Sequence, residues 1–68
     1  MIEFELETEL ITLNQLLKAM GIAETGGRAF EIIDEGIVSV NGDIEMRRRK
    51  KLYKGDIIEI DDEKIKIV

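Results

Sequence analysis

The 68 residues predict an α+β domain, two helices packed on a small, mostly antiparallel sheet. Three observations carry that prediction. Apolar residues recur at helical spacing in two segments, Leu13, Leu16, Leu17, Met20 and then Ala29, Ile32, Ile33. Apolar and polar residues alternate with a period of two around Ile2–Leu6, Ile58–Ile60 and Ile65–Ile67. Glycine or Asn-Gly stands between these segments, where the chain has to reverse. Two amphipathic helices among short strands bury their apolar faces against one sheet.

Taken in order, residues 2–7 form the first strand, with Ile2, Phe4 and Leu6 inward and Glu3, Glu5 and Glu7 in water. The row of like charges also discourages edge-to-edge association. Thr12 starts the first helix, and Gln15 three residues on has capping-box spacing. The stripe that follows is core, Lys18 lies off it, Gly21 stops the helix and Ile22 packs back on its last turn. The second helix spans Gly26 to Glu35, is capped by Thr25 and ends at Gly36 in a left-handed conformation. Ile37 to Val40 is a strand, Asn41-Gly42 a tight hairpin turn, and Ile44 with Met46 resumes the alternation. Arg47 to Lys51 either continues that extended segment or loops out of it. Leu52 and Tyr53 turn back toward the core, Gly55-Asp56 is a turn, and Ile58/Ile60 and Ile65/Ile67 mark two more strands joined by a polar turn at residues 61–63. One domain over residues 1–68 is the expectation at this length.

Composition narrows the chemistry. Without Cys or His, thiol catalysis, imidazole catalysis and ordinary zinc sites are excluded, and no calcium-loop spacing is present. No GxGxxG or phosphate-loop pattern occurs, and no base–nucleophile set is signalled, so the expectation is a non-enzyme with no cofactor and no small-molecule substrate. No apolar run is long enough for a membrane span and the acidic start is unlike a signal peptide, which makes the cytoplasm the expected location and a membrane partner unexpected. The net charge is −5, yet its distribution is uneven. Six of the ten basic residues and no acidic one lie between Arg47 and Lys54. The remainder holds four basic residues against fifteen acidic ones, a balance of −11.

The second helix is unusual at its start. Gly26 and Gly27 in a first turn leave free amides at the positive end of the helix dipole, unshielded by side chains, and a phosphate suits such a terminus. Arg28 is misplaced for the dipole, so it either faces a phosphate or pairs with Glu24 or Glu31 at the surface. Phe30 is either core or a stacking surface for a base. A basic run is itself either a solvated loop or a polyanion contact, and Arg47, Arg48, Arg49, Lys50, Lys51 and Lys54 combine point charges with planar forks suited to phosphate.

A helix entered through Thr-Gly-Gly, the Ile32-Ile33 pair, Gly36, and then Val38, Val40, Asn41 and Gly42 resembles the S4-like RNA-binding domain. The likeness is to the small stand-alone S4 proteins of bacteria, the YbcJ-like branch, which share the Gly-Gly form, and it runs from about Thr12 to Ile60. The resemblance implies an alpha-L motif in which the helical pair and the following hairpin form one RNA-binding surface. It implies a phosphate-backbone contact to structured RNA, ribosomal RNA or tRNA, and a ribosome-related role. The residues expected to make it are Thr25, Gly26, Gly27 and Arg28 with Arg47, Arg48, Arg49, Lys50, Lys51 and Lys54. With Phe4, Phe30 and Tyr53 as the only aromatics, recognition by shape and backbone is expected rather than a multi-base stacking platform. The alternative in another class is a protein-interaction module whose acidic face docks on a basic partner in a ribosomal or replication assembly.

Overall fold

Hairpins and one parallel neighbour build the main sheet in the structure, a computed structural model that describes Met1–Val68. In chain order the elements are β1 (Ile2–Phe4), β2 (Ile11–Thr12), α1 (Leu13–Ala19), α2 (Gly26–Asp34), β3 (Val38–Val40), β4 (Asp43–Ile44), β5 (Lys51–Leu52), β6 (Ile57–Ile60) and β7 (Glu63–Ile67). The five-stranded sheet has the order β1-β7-β6-β3-β4, and β2 pairs with β5 in a second, two-stranded sheet. All pairs are antiparallel except β1 with β7. The α+β class expected from the sequence is the class observed.

Each hairpin turn follows from its residues. Asn41 and Gly42 both have positive φ, +52° and +92°, the backbone that matches the twist of paired strands. The Asn41 side chain also bonds the start of the neighbouring strand β6 and the turn before it. Its Oδ1 accepts from the Ile57 amide at 2.9 Å, and its Nδ2 donates to Asp56 Oδ1 at 3.0 Å. The first strand is shorter than its alternating pattern, but pairing continues past Phe4. Val68 N–H donates to the Phe4 carbonyl and Leu6 N–H to the Val68 carbonyl, each at 2.9 Å. Burial grows along this edge strand from exposed Ile2 through Phe4 to buried Leu6.

Ile44, Met46 and Tyr53 stay exposed, and one of them, Tyr53, departs from expectation. Ile44 is opposite Ser39 in the ladder, so it shares the face away from buried Val38 and Val40 and stays 65 % exposed. Met46 is also exposed. Tyr53 follows buried Leu52, points the other way as successive strand residues do, and is exposed rather than returned to the core.

The helices begin and end where the sequence places their signals. The Thr12 amide donates to Gln15 Oε1 at 3.1 Å, the reciprocal half of a capping box, while the Thr12 hydroxyl donates to Asn14 Oδ1. Gly21 and Gly36 take φ of +76° and +74° and end the two helices. Thr25 Oγ1 accepts from the Arg28 amide at 3.0 Å. Leu13, Leu16 and Leu17 of α1 and Ala29, Ile32 and Ile33 of α2 meet Val38, Leu52, Ile58, Ile60, Ile65 and Ile67 in one cluster containing every buried residue. No polar side chain is buried in it. In so small a core, truncating one buried leucine to alanine costs about 2–5 kcal/mol.

Candidate nucleic-acid interface

The basic segment loops out of the hairpin rather than extending it. The Lys50 amide donates to the Arg47 carbonyl at 3.2 Å, closing a turn. Two backbone bonds then dock that turn on α1, from Leu13 N–H to the Lys50 carbonyl (2.8 Å) and from Asn14 N–H to the Arg48 carbonyl (3.2 Å). First-turn amides have no partner inside their own helix, so the arm supplies acceptors that α1 needs. Pairing of Thr12 with Lys51 and Ile11 with Leu52 completes the attachment. The charged run is thus held by its main chain.

Its side chains are held as well. Arg48 forms a two-pronged ion pair with Asp34, Nε to Oδ1 at 3.0 Å and Nη2 to Oδ2 at 2.6 Å. The same guanidinium lies 4.9 Å from the centroid of Phe30, and that of Arg49 lies 5.2 Å from it, both within cation–π range. Phe30 is half-buried, so it is neither plain core nor an open stacking platform. Arg47 grips Glu45 in the same way, Nε to Oε2 and Nη2 to Oε1 at 2.9 Å each, and its amide adds a bond to Oε2 at 3.0 Å. Those hydrogen bonds from Arg47, more than its charge or that of Lys50, hold the Glu45 carboxyl down to about 2 against the opposing effect of burial. The Arg48 fork lowers Asp34 in the same direction.

The paired glycines lie along the stripe of α2 that carries Phe30. Gly26, Phe30 and Asp34 recur at i, i+4 and i+8, and one step of four residues rises about 6 Å. The helix start therefore lies about one turn from the ring that carries Arg48 and Arg49. Neither the Gly26 nor the Gly27 amide has an acceptor in the chain. Nor does the fold require glycine there. A Cβ at Gly26 would meet nothing within 4 Å, and one at Gly27 only Thr25 Oγ1 at 3.9 Å.

Other expected site residues fall elsewhere. Arg28 is about 160° around α2 from Phe30 at 3.6 residues per turn, and it pairs with Glu31 at 3.3 Å and Glu35 at 3.9 Å. The surface pairing weighed for it thus exists, with Glu35 in place of Glu24. Lys50 and Lys51 flank the start of α1, and Lys54 sits on the β5–β6 turn, where Gly55 N–H bonds the Ile67 carbonyl. Arg49, Lys50, Lys51 and Lys54 have no carboxylate within ion-pair distance. The basic residues thus form a turn with two neutralised arginines and a flank of unpaired cations, not one continuous sheet of charge.

Asp34 and Glu45 are the residues that sequence reasoning missed. Glu45 stands two positions before Arg47, a visible signal, whereas Asp34 meets Arg48 only through the tertiary fold. A shallow groove of 710 Å³ lined by Thr8, Leu10, Ile11, Gln15, Lys18 and Ala19 lies on the outer side of α1 and includes no arm residue. No group of three or more acidic side chains is close enough to hold a metal ion, and no helix is long and apolar enough to cross a membrane.

The S4 domain family model matches residues 4–68, which extends the likeness back to the end of β1 and forward through β7. The chain is also similar to the probable ribosome maturation protein RlbA of Bacillus subtilis (strain 168), at 43 % identity over 56 residues, 82 % of this chain and 79 % of that protein. A helix start with free amides, an ordered hairpin and a basic arm docked beside it thus occur within one matched span, and the chain belongs to the S4 domain family.

Proposed function

We propose that this chain is a non-catalytic RNA-binding module that grips the phosphate backbone of structured RNA, ribosomal RNA or tRNA, in a cytoplasmic, ribosome-related role. Family membership and the ribosome maturation named for the B. subtilis relative support the role. One observation carries the chemistry. The arginine turn lies over Phe30 on the stripe of α2 that begins with two glycine amides that have no acceptor within the chain. Amides at a helix start and guanidinium forks are both ready acceptor-seeking groups for phosphate oxygens. Arg49, Lys50, Lys51 and Lys54 supply the unneutralised charge, Arg47 and Arg48 the shape, and Gly26 and Gly27 with the Thr25 hydroxyl the second contact. Arg28, turned to the opposite side, contributes least.

Exposed Glu3, Glu5, Glu7 and Glu9 favour a second reading, in which the acidic face docks on a basic protein. Crosslinking in cells followed by sequencing of attached RNA tests the first reading. Enrichment of ribosomal RNA or tRNA, with crosslinks in the arm or at the start of α2, is expected. Recovery of no RNA above an uncrosslinked control, together with protein partners that survive nuclease, would contradict it in favour of the acidic face.

A further inference from the structure

Arg47 and Arg48 share one arrangement. A guanidinium has five N–H donors. In each of these two, the carboxylate takes the edge made by Nε and Nη2. Both Nη1 protons and one Nη2 proton of each are left, on the edge directed away from its carboxylate. Both side chains remain accessible, 71 % for Arg47 and 52 % for Arg48. The Phe30 ring lies 4.9 Å from the Arg48 guanidinium, a second contact beside Asp34 that orients the group before any ligand arrives.

We propose that Asp34 and Glu45 are positioning residues, each gripping the Nε edge of one arginine and presenting its Nη1–Nη2 edge as a preformed fork for a phosphate. The inference rests on the phosphate-binding reading above and adds to it the residues that set the geometry. Ordering a long side chain in advance removes a cost that binding otherwise bears. It also reverses the expected sign of a mutation. If the two carboxylates only cancel charge, removing either one strengthens binding to a polyanion. If they position, removing either one weakens it.

The test is filter binding of purified ribosomal RNA by the full chain, between about 50 and 200 mM salt, for wild type, Asp34→Asn, Glu45→Gln, Arg48→Lys and the Asp34→Asn/Arg48→Lys double variant. Each carboxylate variant binds roughly two- to tenfold more weakly than wild type. In the Arg48→Lys background, where no Nε edge exists to be held, Asp34→Asn produces no further loss. Carboxylate variants that bind as tightly as wild type or more tightly, while wild type keeps its salt dependence, overturn the positioning role and leave the phosphate reading standing. An equal loss from Asp34→Asn in both backgrounds overturns it too, since the effect then does not pass through Arg48. Salt-independent binding by wild type defeats the phosphate reading itself, and this inference with it.

Discussion

Glu45 has only 12 % of its side chain exposed and accepts three bonds from Arg47. Its folded carboxyl titrates near 2 against the usual 4.5, so the folded protein binds that proton less readily than the unfolded chain. The pair therefore stabilises fully above about pH 4.5, and that contribution fades as pH falls toward 2. Thermal melts of wild type and Glu45→Gln should differ at neutral pH, with the variant less stable, and converge as pH drops through that window. Arg49 is the contrasting residue, free of any carboxylate. Arg49→Ala should leave stability within about 0.5 kcal/mol while lowering RNA affinity and reducing the salt slope by about 1, read in parallel by melting and filter binding. Reversing all three arginines to glutamate is a poorer probe, because it sets new carboxylates beside Asp34 and Glu45.

At the scale of elements, α2 joins the two parts of the proposed surface. Its first two residues are glycines that nothing in the fold requires, since both positions have room for a Cβ. Gly27→Ala should therefore raise stability by up to about 1 kcal/mol, seen in urea unfolding, while weakening RNA binding if the backbone is approached closely. Most elements were legible in the sequence because local signals and tertiary packing agreed: Thr25 before α2, Gly36 after it, Asn41-Gly42 between β3 and β4. The parallel pairing of β1 with β7 was not, because it joins the two ends of the chain and leaves no local trace. The face taken by Ile44 and Met46 was not legible either, for a related reason. Alternation gives the spacing of a face, but the register against Ser39 decides which face it is. In the site, the basic run and the glycine pair were visible as residue types, whereas the Asp34–Arg48 clamp spans fourteen positions and becomes apparent only when α2 and the arm are brought together. Arg28 shows the converse, near the glycines in sequence and turned away from Phe30 by helical geometry.

For the whole molecule, the segregation of charge is the property that the fold makes use of. On the proposed reading, a net −5 chain would repel a polyanion over most of its surface and draw it to the basic segment, favouring one orientation of approach. The arm's main-chain bonds to the start of α1 tie that turn to the packed helices, so the paired arginines and the unpaired cations Arg49, Lys50 and Lys51 are carried on one anchored segment. Cations held against phosphates release counterions, and the number released is read directly from salt dependence. The decisive measurement is the affinity of the wild-type chain for ribosomal RNA as a function of salt. With three or four phosphates engaged, log affinity falls against log salt with a slope of about −2 to −4; a flat line would mean that the basic turn does not meet the backbone of RNA.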